Sequence, residues 1–433
     1  MPRYRFSPLA ALLCAALICA PPAAAGASTS PAALRAQLLR TMRIAGPSSY
    51  AYVYDISAKR SLYSRNPDRT APPASVEKLY TSTAALMRLG PNAHLGTVVL
   101  GDGSLDSDGV WHGDIYLRGG GDPTFGSQAF IRANYGTGAT VTGLAQQLQA
   151  RGIVRVHGQI VGDESFLDSL RGGPRTGFAL DSDMEGTLSA LAFNRGETGA
   201  AGGLHAPAAY AALQLLHALR ARHIPVSNGV ATGAAPAGAQ QLAQAQSPTI
   251  STLLGLMDRP SDNFFAELLV KDIGAVAGGS GTTTAGAAVV RQTLAHFGIH
   301  PNVVDGSGLS RGDRTSPRAV VTLLSALTGT TLGDTLRGAL PVAGRTGTLA
   351  FRMRHTTATG RCQAKTGTLN GVSNLAGWCQ ATGGHTIAFC FLLNGISEST
   401  AHLLQDNMAI TISGYDDGTP APVPGITPPS PTG

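Results

Sequence analysis

Ala74-Ser75-Val76-Glu77-Lys78, directly after Pro72-Pro73, is the stretch on which the reading of this chain turns. Three residues separate Ser75 from Lys78, so a helix starting here puts both side chains on one face, one turn apart. A serine hydroxyl is a poor nucleophile until a neighbour takes its proton. A lysine becomes that neighbour when burial and nearby positive charge strip its own proton away. Alone, the pattern is better explained by a helix start with a solvated lysine. Lysine is scarce, however: the chain holds only Lys59, Lys78, Lys271 and Lys365, and only Lys78 follows a serine at this spacing.

Working outward, a second polar cluster, Ser261-Asp262-Asn263, follows Pro260 between two apolar stretches with helical periodicity. By itself it reads as a helix cap, since all three residue types cap well. A third, Lys365-Thr366-Gly367-Thr368, ends a strand-like run. There a lysine supplies positive charge, two hydroxyls supply donors, and Gly367 lets a ligand backbone approach a strand edge. Arg345-Thr346-Gly347-Thr348 imitates this third cluster, but it lacks a strand before it and carries no lysine. Arg345, Arg352 and Arg354 are expected to line the cleft. Glu77 and Asp262 are read as surface or capping residues.

Ser-x-x-Lys, Ser-x-Asn and Lys-Thr-Gly in this order form the signature of penicillin-binding proteins and class A β-lactamases. The stretch between Ser75 and Ser261 is far longer than a compact β-lactamase core needs. With Arg118-Gly119-Gly120-Gly121-Asp122-Pro123 and Asp305-Gly306-Ser307-Gly308-Leu309-Ser310, the chain resembles the D-alanyl-D-alanine carboxypeptidases and endopeptidases with inserted domains, the class C low-molecular-mass penicillin-binding proteins of peptidase family S13. The resemblance implies an α+β fold: a serine β-lactamase/transpeptidase-like core, an antiparallel sheet flanked by helices, split by inserted α+β domains. It implies cleavage of the terminal D-Ala of peptidoglycan stem peptides through an acyl-enzyme on Ser75, and covalent binding of β-lactam antibiotics. Lys78, Ser261, Asn263 and Lys365 would complete the catalytic set, and Thr366, Gly367 and Thr368 would bind substrate. Some relatives also cut cross-links as endopeptidases. Two rivals share the motifs: a β-lactamase of the same fold, which needs an added deacylation base that the sequence does not identify, and an idle cell-wall binding protein.

Composition sets the frame. A chain of 433 residues with 43% hydrophobic content supports two or more globular domains. A formal charge of +6 permits weak attraction to anionic polymers. No dense Lys/Arg run suggests nucleic acid. The histidines show no ligand spacing, so no metal or cofactor is expected. Arg3 and Arg5 before the apolar run Leu9 to Ala20 read as a signal peptide over residues 1–27. An exported protein in the periplasm, the cell wall or the medium follows, with no integral membrane segment once the signal is removed. Cys14 and Cys19 leave with it, so Cys362, Cys379 and Cys390 remain in an oxidising compartment. Cys362 and Cys379 flank one turn symmetrically and Cys379 and Cys390 the next. The first pairing is favoured, as a staple behind the Lys365 strand.

The expected organisation is a catalytic domain of residues 28–94 plus 247–413, an insertion over 95–246 and a disordered Pro-rich tail over 414–433. Within the insertion, Val154 to Val161 and Leu188 to Asn194 read as strands. Gly233 to Gln246, rich in Ala, Gly and Gln, reads as a loose connection. Three strands over 360–393 and a last helix over 397–412 close the core.

Overall fold

A computed structural model describes residues 28–196 and 204–419. The expected signal peptide and most of the expected tail lie outside them. In chain order, α1 (Pro31–Ile44), β1 (Tyr50–Asp55), β2 (Arg60–Arg65) and α2 (Lys78–Arg88) lead into β3 (His94–Leu105) and β4 (Val110–Arg118). Helices α3 (Gln128–Asn134) and α4 (Val141–Ala150), strands β5 (Arg155–His157) and β6 (Ile160–Asp163), α5 (Pro207–Arg220), β7 (Val230–Thr232) and β8 (Gln240–Thr249) follow. Then come α6 (Ile250–Asp258), α7 (Asn263–Ala277), α8 (Thr283–Ala295), α9 (Pro317–Leu327) and α10 (Thr331–Ala339). Strands β9 (Cys362–Leu369), β10 (Val372–Gln380) and β11 (Thr386–Asn394) and helix α11 (Glu398–Ser413) finish the fold.

The first sheet runs β2-β1-β11-β10-β9 and is antiparallel throughout. Its strands alternate between two cores, as a period of two requires. Ile387, Phe389, Phe391 and Leu393 of β11 join Leu34 and Leu38 of α1 and Met408 of α11. Ala388, Cys390 and Leu392 face the second core, built from α2, α6, α7, α8, α9 and α10. Helix starts are fixed by side-chain caps. Ser316 accepts from Ala319 N ahead of Pro317, Ser397 accepts from Thr400 N, and Asp262 accepts from Phe265 N at the head of α7.

The second sheet, β7-β6-β4-β3-β8 with β5 beside β4, has its own core with α4 and α5. It mixes parallel pairs (β4 with β5 and β6, β6 with β7) and antiparallel pairs (β3 with β4 and β8). Sequence expectation and structure part ways here in three places. The run Val154 to Val161 is two short strands, not one. Residues 240–249 form a ten-residue strand on β3 rather than a loose connection. Leu188 to Asn194 is no strand: Leu188, Ala190 and Ala192 pack into the helical core while Leu191 and Phe193 pack into the core of the second sheet. Its alternation seals a seam between two cores instead of serving a ladder. Residues 414–419 also belong to the fold rather than to the expected tail. Tyr415 is fully buried and bridges to Thr29, and Asp417 pairs with Arg60.

Candidate active site

The Ser75 turn is held from below by a buried amide of strand β10. Asn374 of β10 is buried, and its Nδ2 donates to the carbonyls of Pro72 (2.9 Å) and Pro73 (2.8 Å). Its Oδ1 accepts from Leu393 N at 3.1 Å. Ala74 then takes a left-handed φ of 48°, and residues Ala74–Glu77 form a 3-10 turn. Ser75 therefore sits in that turn, ahead of α2, which begins at Lys78. Lys78 Nζ lies 2.9 Å from Ser75 Oγ, 2.8 Å from Asn263 Oδ1 and 2.8 Å from Ser307 O.

The loop presenting the Ser307 carbonyl is itself clamped by two buried acids. Glu267 Oε1 accepts from Gly306 N (3.0 Å) and Ser307 N (2.8 Å). Asp305 accepts from Ser307 N (3.1 Å), Gly308 N (2.6 Å) and Ser310 N (2.7 Å). Gly308 has φ +82°, and a Cβ there would meet Ala74 O at 2.0 Å. Only glycine lets this loop back the Ser75 turn so closely.

Two more limbs complete the cluster. Ser261, with φ 70°, stands at the mouth of the α6–α7 turn, and Lys365 Nζ donates to its Oγ at 2.8 Å and to Thr366 O at 3.0 Å. Non-glycine residues in this region of backbone space cost about 1–3 kcal/mol each, so Ala74 and Ser261 mark locally strained backbone at both limbs. Asn263 Nδ2 donates to Asp183 O at 2.7 Å, which ties this limb to the insertion. Strand β9 is the edge of its sheet. Ala364 N donates outward to Pro341 O, so alternation turns the N–H groups of Thr366 and Thr368 to the same side, beyond the covered part of the edge. A Cβ on Gly367 would lie 2.7 Å from Pro73 O and 3.0 Å from Ser75 N. A side chain there would wedge the strand off the Ser75 turn.

Burial dominates the electrostatics. Lys78 is fully enclosed, and desolvation lowers its pKa to about 8 even though Asp258, Asp305, Asp262 and Glu267 pull it back up. Lys365, equally enclosed, is held well below the usual lysine range by burial and then by the charge of Lys78, with Asp258 opposing. Asp258, at the end of α6, accepts from Ser82 Oγ at 2.7 Å. Its carboxyl is pushed up to about 6 by burial, against the pull of Lys365, Ser82 and Lys78. Glu267 is pushed up to about 8 by burial and then by Asp305. Glu77 is raised well above the carboxylate range by burial and by Asp305. The site is thus two lysines short of solvent and several acids, some held neutral, packed behind one hydroxyl. A serine beside an amine of lowered basicity is an arrangement for nucleophilic attack with local proton transfer.

The structure brings Ser75, Lys78 and Asn263 into one chain of contacts and Lys365 and Ser261 into a second, with Thr366, Gly367 and Thr368 on the adjoining strand edge. Cys362 and Cys379 form a disulfide on the opposite face of β9 and β10, and Cys390 is a buried free thiol. Glu77, expected at the surface, is fully buried, because the turn points it back towards Asp305 and Glu267. Arg352 does not line the cleft: it bonds to Asp406 (2.7 Å) and Gln405 (2.9 Å) of α11. Arg354 lies over the Phe351 ring at 4.3 Å. From the imitation motif it is Thr348 that reaches the site, with its Oγ1 2.8 Å from Thr366 Oγ1. Asn374, Asp258 and Arg195 went unread. Asn374 alone carried a signal, as an amide within a strand-forming run that is apolar from Leu375 to Cys379.

Comparison with known proteins bears on the family and the fold. The family model of the D-Ala-D-Ala carboxypeptidase 3 (S13) family matches residues 32–190 and 183–414. A D-alanyl-D-alanine carboxypeptidase of Actinomadura sp. (strain R39) is 30% identical over 462 aligned positions, covering 87% of this chain and 83% of that protein. The crystal structure of penicillin binding protein 4 from Haemophilus influenzae superposes with a TM-score of 0.74 at 20% identity, covering 88% of this chain and 99% of the other. The same Haemophilus protein complexed with a β-lactam gives a TM-score of 0.71 at 21% identity and the same coverage.

Proposed function

This chain belongs to the D-Ala-D-Ala carboxypeptidase 3 (S13) family of serine peptidases, and from that premise we propose that it removes the terminal D-Ala from peptidoglycan stem peptides through an acyl-enzyme on Ser75. Ser75 Oγ attacks the carbonyl of the penultimate D-Ala while Lys78 takes the hydroxyl proton. The backbone N–H groups of Ser75 and Thr368 receive the oxyanion, where each preorganised donor is worth about 3–4 kcal/mol. As the tetrahedral centre collapses, the C–N bond breaks and a proton passes through Ser261, backed by Lys365, to the leaving D-Ala nitrogen. Asn263 orients Lys78 and the substrate amide. Lys365, Thr366 and Thr368 bind the terminal carboxylate at the β9 edge. Water then attacks the ester, and the serine regains its proton.

The observation that carries this reading is two short runs of contacts, Ser75 Oγ to Lys78 Nζ to Asn263 Oδ1 and Lys365 Nζ to Ser261 Oγ, all between 2.8 and 2.9 Å, with Ser261 and Asn263 on the same turn. β-Lactams, whose strained amide imitates D-Ala-D-Ala, acylate Ser75 in the same way. The protein is exported and works in the periplasm, the cell wall or outside the cell. No helix among the described residues is long and apolar enough to cross a membrane.

The test is mass spectrometry of penicillin-treated protein together with D-Ala release from a pentapeptide. An adduct on Ser75 and release abolished in Ser75→Ala support the reading, and an adduct elsewhere removes it. Rapid, sustained β-lactam hydrolysis without D-Ala release would make the chain a β-lactamase. Absence of both activities would make it a binding protein. Cross-linked muropeptides assayed in parallel reveal any endopeptidase activity.

A further inference from the structure

The limb carrying Ser261 and Asn263 is not held by the catalytic core alone. Between them stands Asp262, and its carboxylate is gripped from the insertion side. Arg195 Nη1 donates to Asp262 Oδ2 at 2.6 Å and Nη2 to Oδ1 at 3.2 Å, a two-pronged, charge-assisted contact with both side chains largely buried. The guanidinium is itself fixed on every side. Its Nε donates to Glu185 O at 2.5 Å, Nη2 to Met184 O at 3.4 Å, and its Cζ lies over the Phe264 ring, 4.8 Å from the ring centre. Asn194 and Arg195 both adopt left-handed backbone, with φ of 49° and 62°. The chain accepts two strained residues in a row to deliver this side chain.

We propose that Arg195 is a positioning residue for the reaction: by holding Asp262 it fixes Ser261 and Asn263 in place, and by neutralising that carboxylate it keeps Lys78 able to act as a base. The proposal rests on the roles given above to Ser75, Lys78, Ser261 and Asn263. Lys78 is faced by Asp258 from α6, by Asp262 and Glu267 from the start and body of α7, by Asp305 from the loop before α9, by Glu77 from its own turn and by Lys365 from β9. Of these acids, Asp262 is the one held by a bidentate arginine. Without Arg195 its full negative charge would act on Lys78, favour the ammonium form and withhold the base at neutral pH.

The decisive measurement is the pH dependence of the second-order rate constant for acylation by benzylpenicillin, between pH 5 and 9, on full-length protein. In Arg195→Met the acid limb is expected to move up by about one pH unit, lowering the rate at pH 7 about tenfold. Arg195→Lys, which keeps the charge, is expected to keep the limb near the wild-type position. Arg195→Met/Asp262→Asn, with neither charge, is expected to bring it back down. A limb in Arg195→Met that coincides with wild type, or one that the second substitution fails to return, overturns the proposal. If Arg195→Met does not fold, Asp262→Asn alone supplies the converse test: its limb moves below that of wild type, and an unmoved limb overturns the proposal. Wild-type protein that forms no Ser75 adduct would instead defeat the underlying functional reading.

Discussion

Strand β11 separates two interiors that could hardly differ more. On one side Phe389 and Phe391 stack with ring centres 5.1 Å apart, among Leu34, Leu38, Met408 and the Cys362–Cys379 disulfide. On the other side the same strand presents Ala388, Cys390 and Leu392 to a layer that also buries Lys78, Lys365, Glu77, Asp258, Glu267, Asp305 and Asp313. The first interior is mainly hydrocarbon and sulfur, and its buried ionisable pair, Asp55 with His385 at 2.9 Å, sits at its margin by the end of β1. The second takes on the desolvation of seven ionisable groups, several with oxygens that find no hydrogen-bond partner, such as both of Glu77 and Glu267 Oε2. The dry face stabilises the sheet, and the charged face uses that stability to keep lysines in an environment where they lose protons.

Substitutions on the two faces should therefore fail in different ways. Lys78→Ala removes the proposed base, and penicillin acylation should fall by about 10²–10⁴-fold while the chain stays folded by near-UV circular dichroism. Unaltered acylation would mean that the charged face is merely structural. Phe389→Ala should do the reverse. Emptying a fully buried ring site costs about 3–5 kcal/mol of stability. The acylation rate of the folded fraction should remain near wild type, because the ring points away from Ser75. Denaturant melts and acylation kinetics on the same preparation check both halves. A large rate loss in Phe389→Ala would show that the two faces are mechanically coupled.

How much of this was readable beforehand followed the range of the interactions. The three motifs could be read because residue type and local spacing carry their chemistry. Strands β9 to β11 could be read because their residues alternate or run apolar between clear turns. Strand β8 could not: Gln240-Gln241-Leu242-Ala243-Gln244-Ala245-Gln246 is poor in strand formers and is held extended by its pairing with β3. The placing of Glu77 failed for the same reason, since its burial depends on Glu267 and Asp305, far along the chain. Arg195 meets Asp262 across 67 residues, and nothing local to either marks the pair. The imitation motif misled only in which residue mattered. Its arginines drew notice, whereas the contact to Thr366 is made by a threonine.

The charged interior also makes a prediction about stability that the dry one does not. Glu267 has its folded-state pKa raised from 4.5 to about 8, chiefly by burial. A carboxyl shifted upward favours the folded state most below its unfolded value, and that contribution is lost as pH rises through the folded value. Asp258, raised from 3.8 to about 6, acts in the same direction at lower pH. The melting temperature should therefore fall between about pH 4.5 and pH 8. Lys78, lowered from 10.5 to about 8, acts in a higher window: its contribution is present above 10.5 and is lost as pH falls towards 8. Glutamine at position 267 imitates the protonated acid and can still accept from Gly306 N and Ser307 N through its carbonyl oxygen. In Glu267→Gln the decline between pH 4.5 and 8 should flatten, with Asp258, Asp122 and the other buried acids supplying the remaining slope. Differential scanning calorimetry across that range reads the effect directly. A variant as pH-sensitive as wild type would mean that Glu267 is ionised in the folded protein, and that the interior behind Ser75 is less dry than its burial implies.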